Sequence, residues 1–196
     1  MAEVAWSRQA GRRRRPGLSG PGRDEPATLW PAAEEAAAPE VEQLSLIIRT
    51  DGAARGNPGP ASAGAVLIDA SRPDARDPRA SADASISEFL GVQTNNVAEY
   101  TGVVRALELA RELGARDVSL MLDSKLIVEQ LSGRWRIKDA KLIPLWEAAR
   151  AVLRTFDRWS IVHVPRAQNS AADALANEAI DRVRAGGPAV IVRRPR

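Results

Sequence analysis

Three apolar runs joined by turn-rich links, followed by an abrupt change of period, most constrain what this chain can fold into. Residues 44–50 (LSLIIRT) read as a buried strand, 63–68 as a second, and 84–92, with Ile86 and Phe89, as a third. The links are dense in turn formers: 51–60 is rich in Gly and Pro from Asp51-Gly52 onward, and 71–82 is polar with two Pro. Three consecutive strands with such links predict an antiparallel meander. From residue 96 the spacing turns helical, with Val97, Tyr100, Val104, Leu107 and Arg111 on one stripe and Gly114 ending it. Residues 118–122 then read as a short strand and 124–131 as a helix stopped by Ser132-Gly133. A longer helix follows at 140–156 with Pro144 early in it, then a strand at 160–164 and a last helix at 169–184. The order βββαβααβα predicts an α/β fold, a mixed sheet flanked by helices. Residues 189–192 are apolar but too short to place.

The chain has 196 residues, enough for one domain with a sizeable core plus tails. The net charge of +3 hides three blocks. Residues 1–23 carry six Arg and one acid, 24–43 carry six acids and no base, and 182–196 carry five Arg and no acid. What remains, 44–181, is close to neutral, so nucleic-acid affinity there has to come from local patches. Residues 1–43 are rich in Ala, Pro, Gly, Arg and Glu and are expected to be a disordered tail. The expected domain is 44–184, with 185–196 as a basic C-terminal tail. Cys is absent, which excludes disulfides and thiolate metal sites. No apolar run approaches a membrane span, and no apolar stretch follows Arg12–Arg15 as a secretory signal requires. A cytoplasmic protein is expected.

Four carboxylates stand at predicted element ends: Asp51, Glu99, Asp123 and Asp173. Each has a local reading. Asp51 before Gly52 suits a turn, Glu99 three residues after Asn96 suits a capping box, Asp123 suits a helix cap, and Asp173 follows Ser170 at the same offset. Jointly they suggest more. Two end strands and two lie in first helical turns, where the helix dipole eases a crowd of negative charge. Four gathered carboxylates need cations, and a pair of Mg²⁺ ions suits an all-oxygen donor set.

Four segments resemble ribonuclease H, type I: 50–61 (TDGAARGNPGPA) continued by Ala63-Gly64-Ala65, 94–100 (TNNVAEY), 122–124 (LDS) and 169–176 (NSAADALA). They fall in the family's order and cover about 44–182. The resemblance implies the ribonuclease H-like fold, with a five-stranded mixed sheet, and endonucleolytic cleavage of the RNA strand of an RNA–DNA hybrid, leaving a 5′-phosphate and a 3′-hydroxyl. It makes Asp51, Glu99, Asp123 and Asp173 the catalytic and metal-binding set, with Asp51 between two Mg²⁺ ions (Mn²⁺ as the alternative), Glu99 and Asp123 on one and Asp173 on the other. Asn57, Asn95 and Asn96 match positions that contact the hybrid's minor groove, with Gly52 and its neighbours offering backbone amides to the 2′-OH. Ser124 belongs to the same substrate-binding group. Double-stranded RNA is a further candidate substrate, a hybrid-binding protein without turnover is the non-enzymatic alternative, and a monomer is expected.

The chain departs from the pattern in places. The family's best-known bacterial members have a His in the loop before the last carboxylate; here that loop is short, as in archaeal-like and actinobacterial-like members. His163 alternates with apolar residues and reads as a structural strand residue, leaving Arg166 to take the loop role. Lys125 replaces a common Gln and offers a phosphate contact, unless it points to solvent. There is no basic inserted helix, but Arg134, Arg136, Lys138 and Lys141 around Trp135 offer a small phosphate patch, unless Trp135 merely packs on the core. Some relatives carry a C-terminal phosphatase-like domain, and this chain is expected to end too soon for one.

Overall fold

The structure is a computed structural model that describes residues 43–195. The N-terminal residues read above as a disordered tail, up to residue 42, lie outside the described residues, as does Arg196. The chain runs β1 (Ser45–Ala54), β2 (Gly59–Asp69), β3 (Ala84–Gln93), α1 (Asn95–Glu112), β4 (Asp117–Leu122), α2 (Lys125–Leu131), α3 (Ile143–Leu153), β5 (Arg158–His163), a 3₁₀ turn (Arg166–Gln168), α4 (Ser170–Arg184) and β6 (Val190–Arg193). The strands form one sheet in the order β5-β4-β1-β2-β3-β6. β1 pairs antiparallel with β2 and parallel with β4, which pairs parallel with β5; β2–β3 and β3–β6 are antiparallel. The meander and the later crossovers are thus as the periodicity predicts. No helix among the described residues is long and apolar enough to cross a membrane.

The central strand is buried over most of its length because both faces are covered. On one face Leu46 and Ile48 of β1 and Leu120 of β4 pack with Tyr100, Val103 and Leu107 of α1 and with Val152 and Leu153 of α3. On the other, α4 lies across β1, β2 and β3 and buries Ala172, Ala176, Ala179 and Ile180. Small residues permit this close seat. A β-carbon on Gly64 would stand 2.1 Å from Ala172 O, and Ser62 Oγ donates to Ala176 O at 2.5 Å.

The structure corrects several boundaries. Among the described residues the sheet has six strands, not five. Val190–Arg193, inside the segment taken as a basic tail, pairs with 85–88 of β3. Arg182 fastens it, donating to Pro188 O at 2.8 Å and to Ser87 O at 2.7 Å. β1 does not end at Asp51 but continues to Ala54, pairing rung by rung with β2 as far as Ala54↔Ala61. The reversal is confined to residues 55–58, where Gly56 takes φ 104° and the Asn57–Pro58 bond is cis. α3 begins at Ile143, not 140, because Pro144 sits in its first turn, where a missing N–H costs nothing.

Candidate active site

The parallel β1–β4 ladder brings the first two carboxylates together. Its last rung is Ile48↔Leu120. Asp51 and Asp123 each stand three residues beyond that rung, so parallel register carries both to the same end of the sheet. This is the carboxyl end of two parallel strands, where open α/β sheets form their crevices.

Glu99 arrives from α1. The helix start packs directly on Gly52, where a β-carbon would lie 2.2 Å from Glu99 N; only glycine admits this approach. α1 is capped by Thr94, whose Oγ1 accepts from Val97 N–H at 3.4 Å. The expected capping box of Asn96 and Glu99 is therefore absent. Glu99 instead faces the sheet end, accepting from Asn95 Nδ2 and from Ser124 Oγ, each at 2.7 Å. Burial pushes its carboxyl up; the Ser124 bond works against this, Asp123 adds to it, and Asn95 and Arg166 oppose it.

Asp173 lies in the first turn of α4, whose cap is Asn169 and not Ser170. Arg166 Nη2 donates to its Oδ1 at 2.9 Å, and Asn177 Nδ2 lies 3.3 Å from its Oδ2. Asp51 is nearly buried at 8% exposure and accepts from its own neighbour, Gly52 N–H, at 2.9 Å. Its carboxyl is pushed up to about 8, first by burial and then by the negative charge of Asp123 and its contact with Asp173. Burial, ahead of either neighbouring carboxylate, is what disfavours the anion.

Asp51, Glu99, Asp123 and Asp173 line one polar cavity of about 410 Å³, together with Gly52, Ala53, Ala54, Asn95, Ser124, Arg166 and Asn177. The donors are hard oxygens, the chemistry that suits Mg²⁺ or Mn²⁺. Yet among the described residues no three acidic, His or Cys side chains are already gathered as a metal-holding cluster. The hydrogen bonds explain this: Arg166 occupies Asp173, while Asn95 and Ser124 hold Glu99. The all-oxygen donor set fits divalent cations.

The remaining predicted residues are dispersed. Asn57 is outside the cavity, but its Oδ1 accepts from Asn95 N–H at 3.2 Å, so Asn57, Asn95 and Glu99 form a chain. Asn96 lines a different cavity of about 450 Å³ with Leu126, Gln130, Arg134, Trp135, Arg136 and Lys138. Trp135 is 47% exposed, so it does not merely pack on the core. Lys125 is exposed and lines neither cavity. His163 ends β5 opposite Leu122, as a strand residue, and its Nε2 lies 3.0 Å from Asp123 O. Two residues escape sequence reasoning, Asn169 and Asn177. Asn169 Nδ2 donates to Asp123 Oδ1 and to Thr50 O, both at 2.8 Å. Asn169 opens the resembling segment 169–176 without a role assigned to it, and both Asn169 and Asn177 lie four residues from Asp173, one helical turn.

A family profile described as "Reverse transcriptase-like" matches residues 49–179. "Ribonuclease HI" of Halobacterium salinarum is 46% identical over 135 residues, 67% of this chain and 62% of its own length. "Bifunctional protein Rv2228c" of Mycobacterium tuberculosis is 43% identical over 138 residues, 70% of this chain but only 36% of its own. This chain therefore spans less than two thirds of either relative. Among solved structures, the N-terminal RNase H domain of that mycobacterial protein is 43% identical with a TM-score of 0.64, covering 70% of this chain and all of that domain. LC11-RNase H1 in complex with an RNA/DNA hybrid is 36% identical with a TM-score of 0.63, covering 71% of this chain and 99% of that one.

Proposed function

This chain belongs to the ribonuclease H family, type 1, and on that footing we propose that it hydrolyses the RNA strand of RNA–DNA hybrids, acting as a monomer in the cytoplasm and leaving a 5′-phosphate and a 3′-hydroxyl. The observation that carries the proposal is the convergence of Asp51, Glu99, Asp123 and Asp173 on one polar cavity at the carboxyl end of β1 and β4. A relative solved on an RNA/DNA hybrid supports the substrate class.

In this reading the four carboxylates hold two Mg²⁺ ions. When bound, such a pair supplies a nucleophile from water at neutral pH and offsets charge on the leaving oxygen of an in-line displacement. The protein's own residues do the positioning. Gly52 lets the start of α1 close on β1, and Asn95 and Ser124 aim Glu99 at the cavity. The chain from Asn57 through Asn95 to Glu99 ties the 55–58 turn, which carries a minor-groove contact, to the reacting end of the sheet. Arg166 offsets the charge of Asp173 before cations arrive; its side chain is 80% exposed and free to swing to a substrate phosphate. Arg136, Lys138 and Trp135, beside Asn96, offer a second contact surface to the duplex, through phosphates and stacking. Lys125 offers a further phosphate contact.

The test is a labelled RNA–DNA hybrid with Mg²⁺ or with EDTA, cut by the parent chain and by Asp51→Asn and Asp123→Asn. Metal-dependent cleavage lost in both variants is expected. Undiminished cleavage by either would remove the carboxylates from the reaction.

A further inference from the structure

We infer that Asn169 is a positioning residue for this reaction, its side-chain amide setting the place of Asp123 relative to Asp51. The inference rests on the ribonuclease H reading above. The β1–β4 ladder ends at Ile48↔Leu120, short of both carboxylates. No rung of that ladder therefore fixes the two chains where Asp51 and Asp123 stand. One buried amide does so instead. Asn169 is 1% exposed, and its Nδ2 donates at 2.8 Å both to Thr50 O, the residue before Asp51, and to Asp123 Oδ1. Among the described residues this is the hydrogen bond that orients the Asp123 carboxylate. The backbone carbonyl of Asn169 also accepts the N–H of Asp173 at 3.1 Å. A single residue thus touches β1 beside Asp51, the carboxylate of Asp123 and the backbone of Asp173.

The chemistry leaves little choice of side chain. Both partners are acceptors, so the amide must present its nitrogen to both. Turned over, its oxygen would face a carbonyl and a carboxylate at contact distance. Oδ1 is buried without a protein partner, so the two donated bonds alone set the orientation. Asp has the same shape and no donor when ionised. Ala has neither donor nor reach. Side chains that orient metal-ligating carboxylates typically change metal affinity or activity about 10–100-fold when removed.

The experiment uses the full chain with Asn169→Ala and Asn169→Asp. Thermal unfolding reports the fold, calorimetric titration of Mn²⁺ without substrate reports the carboxylate geometry, and hybrid cleavage in Mg²⁺ gives kcat and KM. Folded variants should bind Mn²⁺ about tenfold more weakly and lose about 10–100-fold in kcat, with KM within about twofold. Mn²⁺ affinity and kcat within about twofold of the parent in folded Asn169→Ala would overturn the inference. So would finding both variants unfolded at the assay temperature, since Asn169 would then hold the fold and not the site. Asp51→Asn serves as the control. If it still cleaves, the ribonuclease H reading itself fails; if it is inactive while Asn169→Ala is normal, only this inference fails.

Discussion

Gly52 and Glu99 touch through backbone: a β-carbon on the glycine would lie 2.2 Å from the glutamate nitrogen and 2.7 Å from its Cα. The obstruction is the helix itself, which cannot rotate aside as a flexible side chain would. Gly52→Ala should therefore push the start of α1 from β1 and carry Glu99 with it. We expect a stability loss of about 1–3 kcal/mol by urea unfolding, with a larger proportional loss of hybrid cleavage. An alanine variant with parental kcat would mean that α1 can settle elsewhere without moving Glu99.

The raised pKa of Asp51, about 8 against an ordinary 3.8, makes a pH prediction for the metal-free protein. Between about pH 4 and 8 the folded chain holds a proton that the unfolded chain releases. Stability contributed by this group is thus full below about pH 4 and falls as pH rises through that window. Asp51→Asn removes the loss. In EDTA at about pH 8.5 the variant should be more stable than the parent by an amount on the order of a few kcal/mol, and near pH 4 the two should coincide. Mg²⁺ should raise the parent's melting temperature and leave the variant's nearly unchanged. Equal melting temperatures at the alkaline end would show that Asp51 is no burden to the fold.

Arg166→Ala separates stability from chemistry. The Arg166–Asp173 pair is largely exposed on the arginine side, and such pairs contribute about 0–1 kcal/mol. Urea unfolding should shift by less than about 0.5 kcal/mol, while kcat should fall about tenfold, with Arg166→Lys intermediate because it keeps charge without the planar fork. Parental turnover in the alanine variant would remove Arg166 from the reaction.

Arg136, Lys138 and Trp135 line a groove away from the carboxylates. Substituting either basic residue by Ala should raise KM for the hybrid and leave kcat alone. The slope of log affinity against log salt should drop by about one for each phosphate that is no longer neutralised. Binding measured with Ca²⁺ in place of Mg²⁺ across a salt series checks this directly; an unchanged slope would move the duplex off this surface.

Arg182 fixes β6 through Pro188 O, Ser87 O and Ser87 Oγ. Arg182→Ala should cost about 1–3 kcal/mol, as the partly buried Ser87 bonds lose their donor, and should speed amide exchange in residues 85–88 of β3. Hybrid kcat should stay within about twofold, because β1, β2 and β3 all lie between this edge and β4 in the sheet order.

What the chain discloses in advance follows physical lines. β1 to β3 and α1 are long elements bounded by turn formers, so their existence and type are legible in the chain alone. Asp51-Gly52 misled because that pair usually turns, yet here Gly52 serves a close helix approach within a strand that continues two residues further. The cap at Thr94, in place of Asn96, depends on where α1 meets β1 and not on the local pattern. β6 has four residues and no core face of its own, so only its ladder with β3 makes it a strand. Asn169 was invisible for another reason: its importance lies in two acceptors 119 and 46 residues away in the chain.

The direction of the edge strands has a consequence for how this fold can be joined to other things. β1 enters from Ser45, six residues before Asp51, and β6 runs from the row of Gly52 back toward that of Arg49. Both ends of the described chain therefore point away from the carboxylate crevice. A tag joined at Ser45 or after Arg193 therefore starts on rows of the sheet that precede Asp51, on the side away from the step to Asp123.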